Sequence, residues 1–293
     1  MFCKQSFGRK VFIIINYTFL IVVAALCIFP IIHILAVSLS SEVPVNAGAV
    51  KIWPIGLTMS SYKYVLNDVK FYNAFLISME RTILGLVISM VLTVLSAYPL
   101  SKSQKVFKAR GFYIWFFLIT ILFSGGLIPT YLAVRYTGLI DTIWALILPI
   151  SVPVFNIIIL QNFFKELPDE ISEAAFIDGA GHWTVLFKIM IPLSKPAIAT
   201  LILFTTVTQW NSWFDGMIYM NSAEHYPLQT YLQTIIVQTD LKLVSNIDDL
   251  TANVTAASSK AAEIFIAMIP ILLVYPFIQP YFTKGIIMGS VKG

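Results

Sequence analysis

Six apolar runs, each long enough to cross the hydrocarbon core of a bilayer, limit this chain more than any other feature. A helical span of ~30 Å needs about 20 apolar residues. Such runs lie at roughly 11–39, 74–100, 112–134, 140–163, 197–220 and 262–282. Of 293 residues, 58% are hydrophobic and 12% charged, whereas soluble proteins average about 25% charged. A soluble domain with this balance has too few polar groups to cover its surface. The sequence therefore predicts an all-α, polytopic membrane protein with six helices in one transmembrane domain over residues 1–293. The first run follows Lys4, Arg9 and Lys10, as a secretory leader would. It is much longer than the ~7–15 apolar residues of a leader, which predicts a retained first helix. Prolines at 30, 99, 129, 149, 153, 270 and 276 interrupt the runs. Inside a membrane bundle, neighbouring helices and waters can re-satisfy the carbonyls they free.

Basic residues between the runs set the orientation. One side would carry Lys4, Arg9, Lys10, Lys102, Lys105, Lys108, Arg110, Lys165, Lys188, Lys195, Lys284 and Lys292; the other Lys51, Lys63, Lys70, Arg135, Lys242 and Lys260. The richer side is predicted to be cytoplasmic, with both termini there and also the segment between the fourth and fifth helices. Residues 40–73, with Pro44, Trp53, Pro54 and Gly56, read as a capped surface loop. The stretch "SNIDDLTANVTAASSKAAE", within the outer segment 221–261, reads either as a short outer helix or as a loop.

Several functions are excluded. No Gly-x-x-x-x-Gly-Lys-Ser/Thr loop is present, so the chain does not cradle nucleotide phosphates itself. His33, His182 and His225 lie in different segments, without a His-Glu-x-x-His pair, and no Gly-x-Ser-x-Gly elbow occurs. Cys3 and Cys27 make neither a disulfide framework nor a metal-ligand spacing. The formal charge of +4 is scattered among apolar runs, so it reads as topology rather than nucleic-acid binding. The chain is predicted not to be an enzyme, and to bind no metal or cofactor.

One polar segment breaks the apolar pattern: "EAAFIDGAGHWTVLFKIMIPL", Glu173 to Leu193. Ahead of it, Pro168 fits a first helical position, and Asp169 and Glu170 complement the positive end of a helix dipole. A short helix is predicted to run to Asp178, with Gly179 ending it in a left-handed conformation. After Gly181, a second helix would align Trp183, Leu186, Phe187, Met190 and Ile191 on one apolar face, with Pro192 closing it. Ala174 and Ala175 leave a small-residue face that another backbone could approach. Capping of the helix bundle by an interfacial loop is the plainer reading of the same segment.

The spacing Glu-Ala-Ala, three residues, Gly, nine residues, Ile-x-Ile-Pro resembles the EAA signature of ABC-importer permease subunits. It falls on Glu173, Ala174, Ala175, Gly179, Ile189, Ile191 and Pro192, with Ile191 where the family more often has Leu. "GGLIPTY" at 125–131, "WNSWFD" at 210–215 and the ending "YFTKGIIMGSVKG" are similar to the carbohydrate-importing branch, and within it to the maltose-permease G-type subunit. The resemblance implies a complex of two permeases in the bacterial cell membrane, two copies of a cytoplasmic ATPase and an external solute-binding protein. ATP and Mg would be bound by the ATPase. The elbow Glu173, Ala174, Ala175, Asp178, Gly179, Ala180 would be the coupling helix between the fourth and fifth spans, docked on the ATPase. The tail from Gly285 to Gly293 would reach toward that interface as an extended, adaptable chain.

Polar side chains inside the runs are the candidates for a solute path, because a charge at mid-bilayer costs ~2.5–3.5 kcal/mol unless it faces protein or water. Arg81 either faces an internal cavity or snorkels to the outer headgroups. Glu80 is on a different face and does not pair with it. Gln209, Trp210, Asn211, Trp213 and Asp215 combine aromatic faces with amide and carboxylate groups that suit a sugar or oligosaccharide. Interfacial anchoring, or packing against the second permease, would use the same groups. Gly125, Gly126 and Pro129 predict a kink with close helix packing. An importer of another solute class remains an alternative, since the EAA elbow is shared. An ion-coupled secondary transporter is another, but it would require paired intramembrane acids and inverted halves.

Overall fold

The structure is a computed structural model that describes the backbone of residues 7–245 and 250–290, and the side chains of residues 7–237 and 257–281. All regular structure among the described residues is helical. In chain order the helices are α1 (Phe7–Ser38), α2 (Glu42–Asn46), α3 (Ser60–Asn67), α4 (Val69–Ser101), α5 (Arg110–Leu122) and α6 (Leu127–Tyr136). Next come α7 (Ile143–Ile147), prolonged by a 3-10 turn at Leu148–Ile150, then α8 (Val154–Glu166) and α9 (Asp169–Ile177). α10 (His182–Val185) runs through a π turn at Leu186–Met190 into α11 (Ile191–Leu193). The series ends with α12 (Lys195–Asn211), α13 (Phe214–Tyr219), α14 (Leu228–Ser245) and α15 (Leu250–Ser290).

Among the described residues, three helices are long and apolar enough to cross a membrane: α1, α4, and residues Ala257–Tyr281 of α15. Three bent pairs bring the number to six if each is one span: α5 with α6, α7 and its 3-10 turn with α8, and His182–Leu193 with α12. Pro30, Pro99, Pro270, Pro276 and Pro280 all lie inside continuous helices. The expected third run, 112–134, is instead turned through 117° between α5 and α6. Phe123 there is extended and Gly126 takes φ +83°, a left-handed value that glycine adopts freely. Gly126 serves the turn and not close packing, since nothing lies within 4 Å of a Cβ built on it. The fourth run bends by 46° at Ser151–Pro153, where Pro149 and Pro153 remove backbone donors and Val152 is steered away from helix by the proline after it. The fifth run, expected to be continuous over 197–220, breaks at Ser212–Trp213.

The chain divides into two compact units. One comprises residues 1–72 and 236–269, the other 73–235 and 270–293. In the first, only 6% of the most apolar window of α1 is buried, as suits a helix bathed in lipid. The expected surface loop folds back on the end of α1. The Ser40 hydroxyl accepts from Ile55 N–H (3.0 Å) and donates to Ala36 O (2.6 Å), and Thr58 N–H donates to Leu39 O (2.9 Å). In the outer segment the backbone is helical from Leu250 onward, and residues 246–249 lie outside the described residues. The tail, expected to be extended, is helical to Ser290; residues 291–293 lie outside the described residues.

Among its described residues, the second unit has two buried clusters. One joins Ala97, Tyr98 and Leu100 of α4, Ile157, Leu160 and Phe164 of α8, Val185, Leu186 and Met190 of the elbow, and Ala197 and Leu201 of α12. The other joins Val134 of α6, Ala145 and Leu146 of α7, and Tyr219 and Met220 beyond the break.

Candidate functional site

The break at Ser212–Trp213 is built around Arg81. This side chain projects from α4 and is fully buried. A guanidinium offers five N–H donors in a fixed fork, and five acceptors surround this one. Nε donates to Gln209 Oε1 (3.3 Å). Nη1 donates to Ser212 O (3.2 Å) and Asp215 Oδ1 (3.2 Å). Nη2 donates to Asp215 Oδ2 and, more weakly, to Leu146 O (3.5 Å). Asp215 neutralises the charge with both oxygens, and its Oδ1 also accepts from Ser212 Oγ and Gly216 N–H, each at 2.9 Å. The two carbonyls belong to chain that leaves helix, at the end of α7 and in the break after α12. In hydrocarbon such carbonyls need a partner inside the protein. One side chain of a continuous helix therefore supplies donors to two interrupted ones.

Small residues make room for this arrangement. A Cβ on Gly85, one turn beyond Arg81, would sit 2.5 Å from the Gln209 side chain. A Cβ on Gly216 would sit 2.2 Å from Thr230 Oγ1, which donates to Trp213 O (2.7 Å). Ser78, one turn before Arg81, accepts the N–H of Leu228 at the start of α14 (2.7 Å).

Of the path candidates, Arg81, Gln209 and Asp215 thus form one cluster. Trp210 is buried with its ring edge-to-face on Phe75, centroids 5.8 Å apart. Asn211 and Trp213 lie on the exposed side of the break, where Trp213 meets Phe214 edge-to-face. Nothing in the sequence pointed to Ser212, Gly85 or the Leu146 carbonyl. Only the pairing of a lone intramembrane cation with a lone intramembrane acid could have suggested where Arg81 points.

A second feature lies between α6 and α13. Asp141 has φ +62°, a conformation tolerated better by Asp and Asn than by most residues. Its Oδ1 accepts from Asn221 N–H (3.0 Å) and lies 2.9 Å from His225 Nδ1. The hydrogen bond with His225, then that from Asn221, holds the Asp141 carboxyl below its ordinary range.

The elbow carries the other candidates. α9 ends at Ile177, and Gly179 takes φ +85°. Ala180 N–H reaches back to Ala175 O (2.9 Å) and Gly179 N–H to Phe176 O (3.0 Å). This paired return is the Schellman arrangement that closes a helix on a left-handed residue. The segment after Gly181 differs from its expected single apolar face. Leu186 and Met190 are buried, while Trp183 and Phe187 are 64% and 56% exposed and stack on each other. The π turn at 186–190 stands just ahead of Pro192, whose ring cannot fit against the carbonyl one turn back. Glu173, Ala174, Asp178 and Gly179 are exposed, and Ala175 and Ala180 are half-buried against the core. Ile177, 86% exposed, stands at the tip. His182 starts α10 with Nδ1 3.1 Å from the Tyr98 hydroxyl, which ties the elbow to the end of α4. Close by, burial holds the Lys102 ammonium below its usual range, against the opposing pull of Asp169.

The family described as "Binding-protein-dependent transport system inner membrane component" matches residues 6–288. The chain is 40% identical over 284 residues to Protein LplC of Bacillus subtilis (strain 168), covering 97% of this chain and 96% of that protein. It is 38% identical over 287 residues to the polygalacturonan/rhamnogalacturonan transport system permease protein YtcP of the same organism, covering 97% and 99%. A chain of the crystal structure of a bacterial ABC transporter involved in the import of the acidic polysaccharide alginate matches with TM-score 0.84 at 32% identity, covering 95% of this chain and 99% of that one.

Proposed function

The chain belongs to the family of binding-protein-dependent transport system inner membrane components, and from that premise we propose that it is the permease subunit of an ABC importer for a sugar or oligosaccharide. Relatives named for polygalacturonan and rhamnogalacturonan transport and for alginate import support the solute class. Six membrane spans, cytoplasmic termini and kinship with the maltose-permease G type belong to this proposal. So do a second permease, an external binding protein and two cytoplasmic ATPase subunits that hold ATP and Mg.

The observation that carries the proposal is the build of the elbow. Val185, Leu186 and Met190 root it in the core shared by α4, α8 and α12. Its other side leaves Glu173, Ala174 and Ile177 free. An apolar tip on a rigid, core-anchored turn is what a docking joint needs: a push at the tip passes to the membrane helices without being absorbed. Ala174 lets the ATPase surface approach closely, and Gly179 fixes the angle between α9 and α10.

The test is uptake into proteoliposomes carrying the assembled complex, with its binding protein outside and ATP inside. Uptake of an oligosaccharide such as maltotriose, arabinotriose or trigalacturonate should require both ATP and binding protein. Uptake driven by a proton or sodium gradient without ATP would overturn the proposal.

A further inference from the structure

Between α4, α8 and α12 lies a cavity of about 340 Å³ beside the bend at Ser151–Pro153. Its size falls in the range of small-molecule sites, roughly 300–1,000 Å³. Ser89 lines it from the interior of α4, twelve residues before that helix ends, so it lies well inside the membrane by the rise of an α-helix. The Ser89 side chain is buried, at 1% exposure, yet its Oγ meets no partner among the described residues. A buried hydroxyl normally finds a hydrogen bond. Ser89 lines the cavity with that capacity unused, and a turn about its χ1 bond would offer the hydroxyl to a polar visitor.

Two carboxamides face the same space. Asn156 of α8 donates through Nδ2 to Thr205 Oγ1 (3.2 Å). Arg81 donates to Gln209 Oε1, which fixes the amide so that its NH₂ is the group left to donate. Phe155 and Phe204 add aromatic surface, and both are exposed on the chain. Among the described residues, the lining contains no carboxylate or cation. Non-helical backbone at membrane depth is tolerated where it is buried in protein or lines a watery cavity, and Ile150 and Pro153 at the bend do line this one.

We propose that this cavity is a subsite for one sugar ring in transit, with Ser89, Asn156 and Gln209 meeting hydroxyl groups and Phe155 or Phe204 covering an apolar ring face. Uncharged donors and acceptors beside aromatic surface match the two faces of a pyranose. The buried ion pair of Arg81 and Asp215 then has a second role: it orients Gln209 toward the sugar without offering a charge to it. This proposal rests on the chain being a carbohydrate permease.

Two variants of the assembled complex test it, in a background where Cys3 and Cys27 are changed to Ser. Thr208 lies at the exposed edge of the cavity, so Thr208→Cys places a thiol there for a small methanethiosulfonate reagent. During uptake of whichever of maltotriose, arabinotriose or trigalacturonate the wild-type complex carries, labelling should slow about tenfold, the occlusion expected when the site is mostly filled. ATP alone, without sugar, should leave labelling unchanged. Ser89→Leu should fill the cavity and reduce uptake about tenfold or more while the ATPase and second permease still copurify. Labelling equally fast with and without sugar, or slowed by ATP alone, would overturn the subsite. So would normal uptake by Ser89→Leu; if that variant fails to assemble, the labelling decides. A wild-type complex that takes up a non-sugar solute and no carbohydrate refutes the carbohydrate reading, and the subsite with it.

Discussion

Replacing Asp215 by Ala should damage this protein through Arg81, which stays behind. The change leaves two of the five guanidinium donors without acceptors and a full positive charge in a side chain that is 1% exposed. Removing one partner of a buried pair costs about 3–5 kcal/mol. The Asp215 side chain is 17% exposed, so water reaches its edge, and the lower end, about 3 kcal/mol, is expected. Arg81→Met fails differently. It strands the Asp215 carboxylate and also the carbonyls of Ser212 and Leu146, each worth about 1–3 kcal/mol when unsatisfied. In the double variant Arg81→Met/Asp215→Ala both charges are gone, and only the carbonyl cost remains. The double should therefore be less destabilised than the sum of the singles, by about 2 kcal/mol or more, within the range seen for residues in one network. Reversible denaturant titration in mixed micelles, run as a double-mutant cycle, measures this. Arg81→Lys should resemble Arg81→Met, because three rotating donors on a point charge cannot meet five fixed acceptors. Single variants that each cost under about 1 kcal/mol, or a strictly additive double, would show that the cluster is no strut.

Gly85→Ala should lower stability by about 1–3 kcal/mol, because the Gln209 side chain it would strike is held by Arg81 and cannot swing away; a melt equal to wild type would refute this. Gly179→Val has open space for its side chain, so its whole cost is the left-handed backbone, about 1–2 kcal/mol or more for a β-branched residue. The permease should still insert but release the ATPase on copurification, whereas retained ATPase with normal uptake would undo the coupling role. Asp141→Asn keeps a residue suited to φ +62° while removing the charge. The Asp141 carboxyl is held low, so its contribution is complete above the ordinary carboxylate value of about 4 and fades only as pH falls through the lowered one. The stability gap between wild type and this variant should survive down to about pH 5 and close only below about pH 4; a gap already closed near pH 6 would contradict it.

What the sequence revealed about the fold depended on whether the cause was local. Runs of apolar residues specify spans: α1 and α4 begin and end within about five residues of the first two runs, whereas α15 starts twelve residues ahead of the sixth. The elbow was also legible, because its geometry is written in one residue: Gly179 is the position where a side chain would be strained. Breaks with local chemistry could be anticipated in place, if not in angle. Gly125–Gly126 and Pro149–Pro153 mark the two bends, but 117° against 46° depends on what each half packs on. The split of Trp183 and Phe187 from Leu186 and Met190 was not legible, since a helical wheel of period 3.6 has no place for a π turn.

The break of the fifth run is the instructive failure. Neither proline nor glycine stands at Ser212–Trp213, and "TQWNSWFD" reads as unbroken helix in a membrane. Helix propensity alone would close the gap, because every unpaired carbonyl there is costly in hydrocarbon. The chain leaves helix because donors arrive from elsewhere: Arg81 and Ser212 saturate Asp215, and Arg81 satisfies the carbonyl that the break frees. The partners are separated by 134 positions in sequence, so no local window contains the cause. A break held by a proline is permanent, whereas one held by a guanidinium can re-form as helix if the guanidinium withdraws. The residues that open the break stand next to Gln209, at the edge of the cavity beside Ser89. In a subunit whose work is to let solute past and then close, the break belongs where a tertiary contact, rather than the local sequence, decides it.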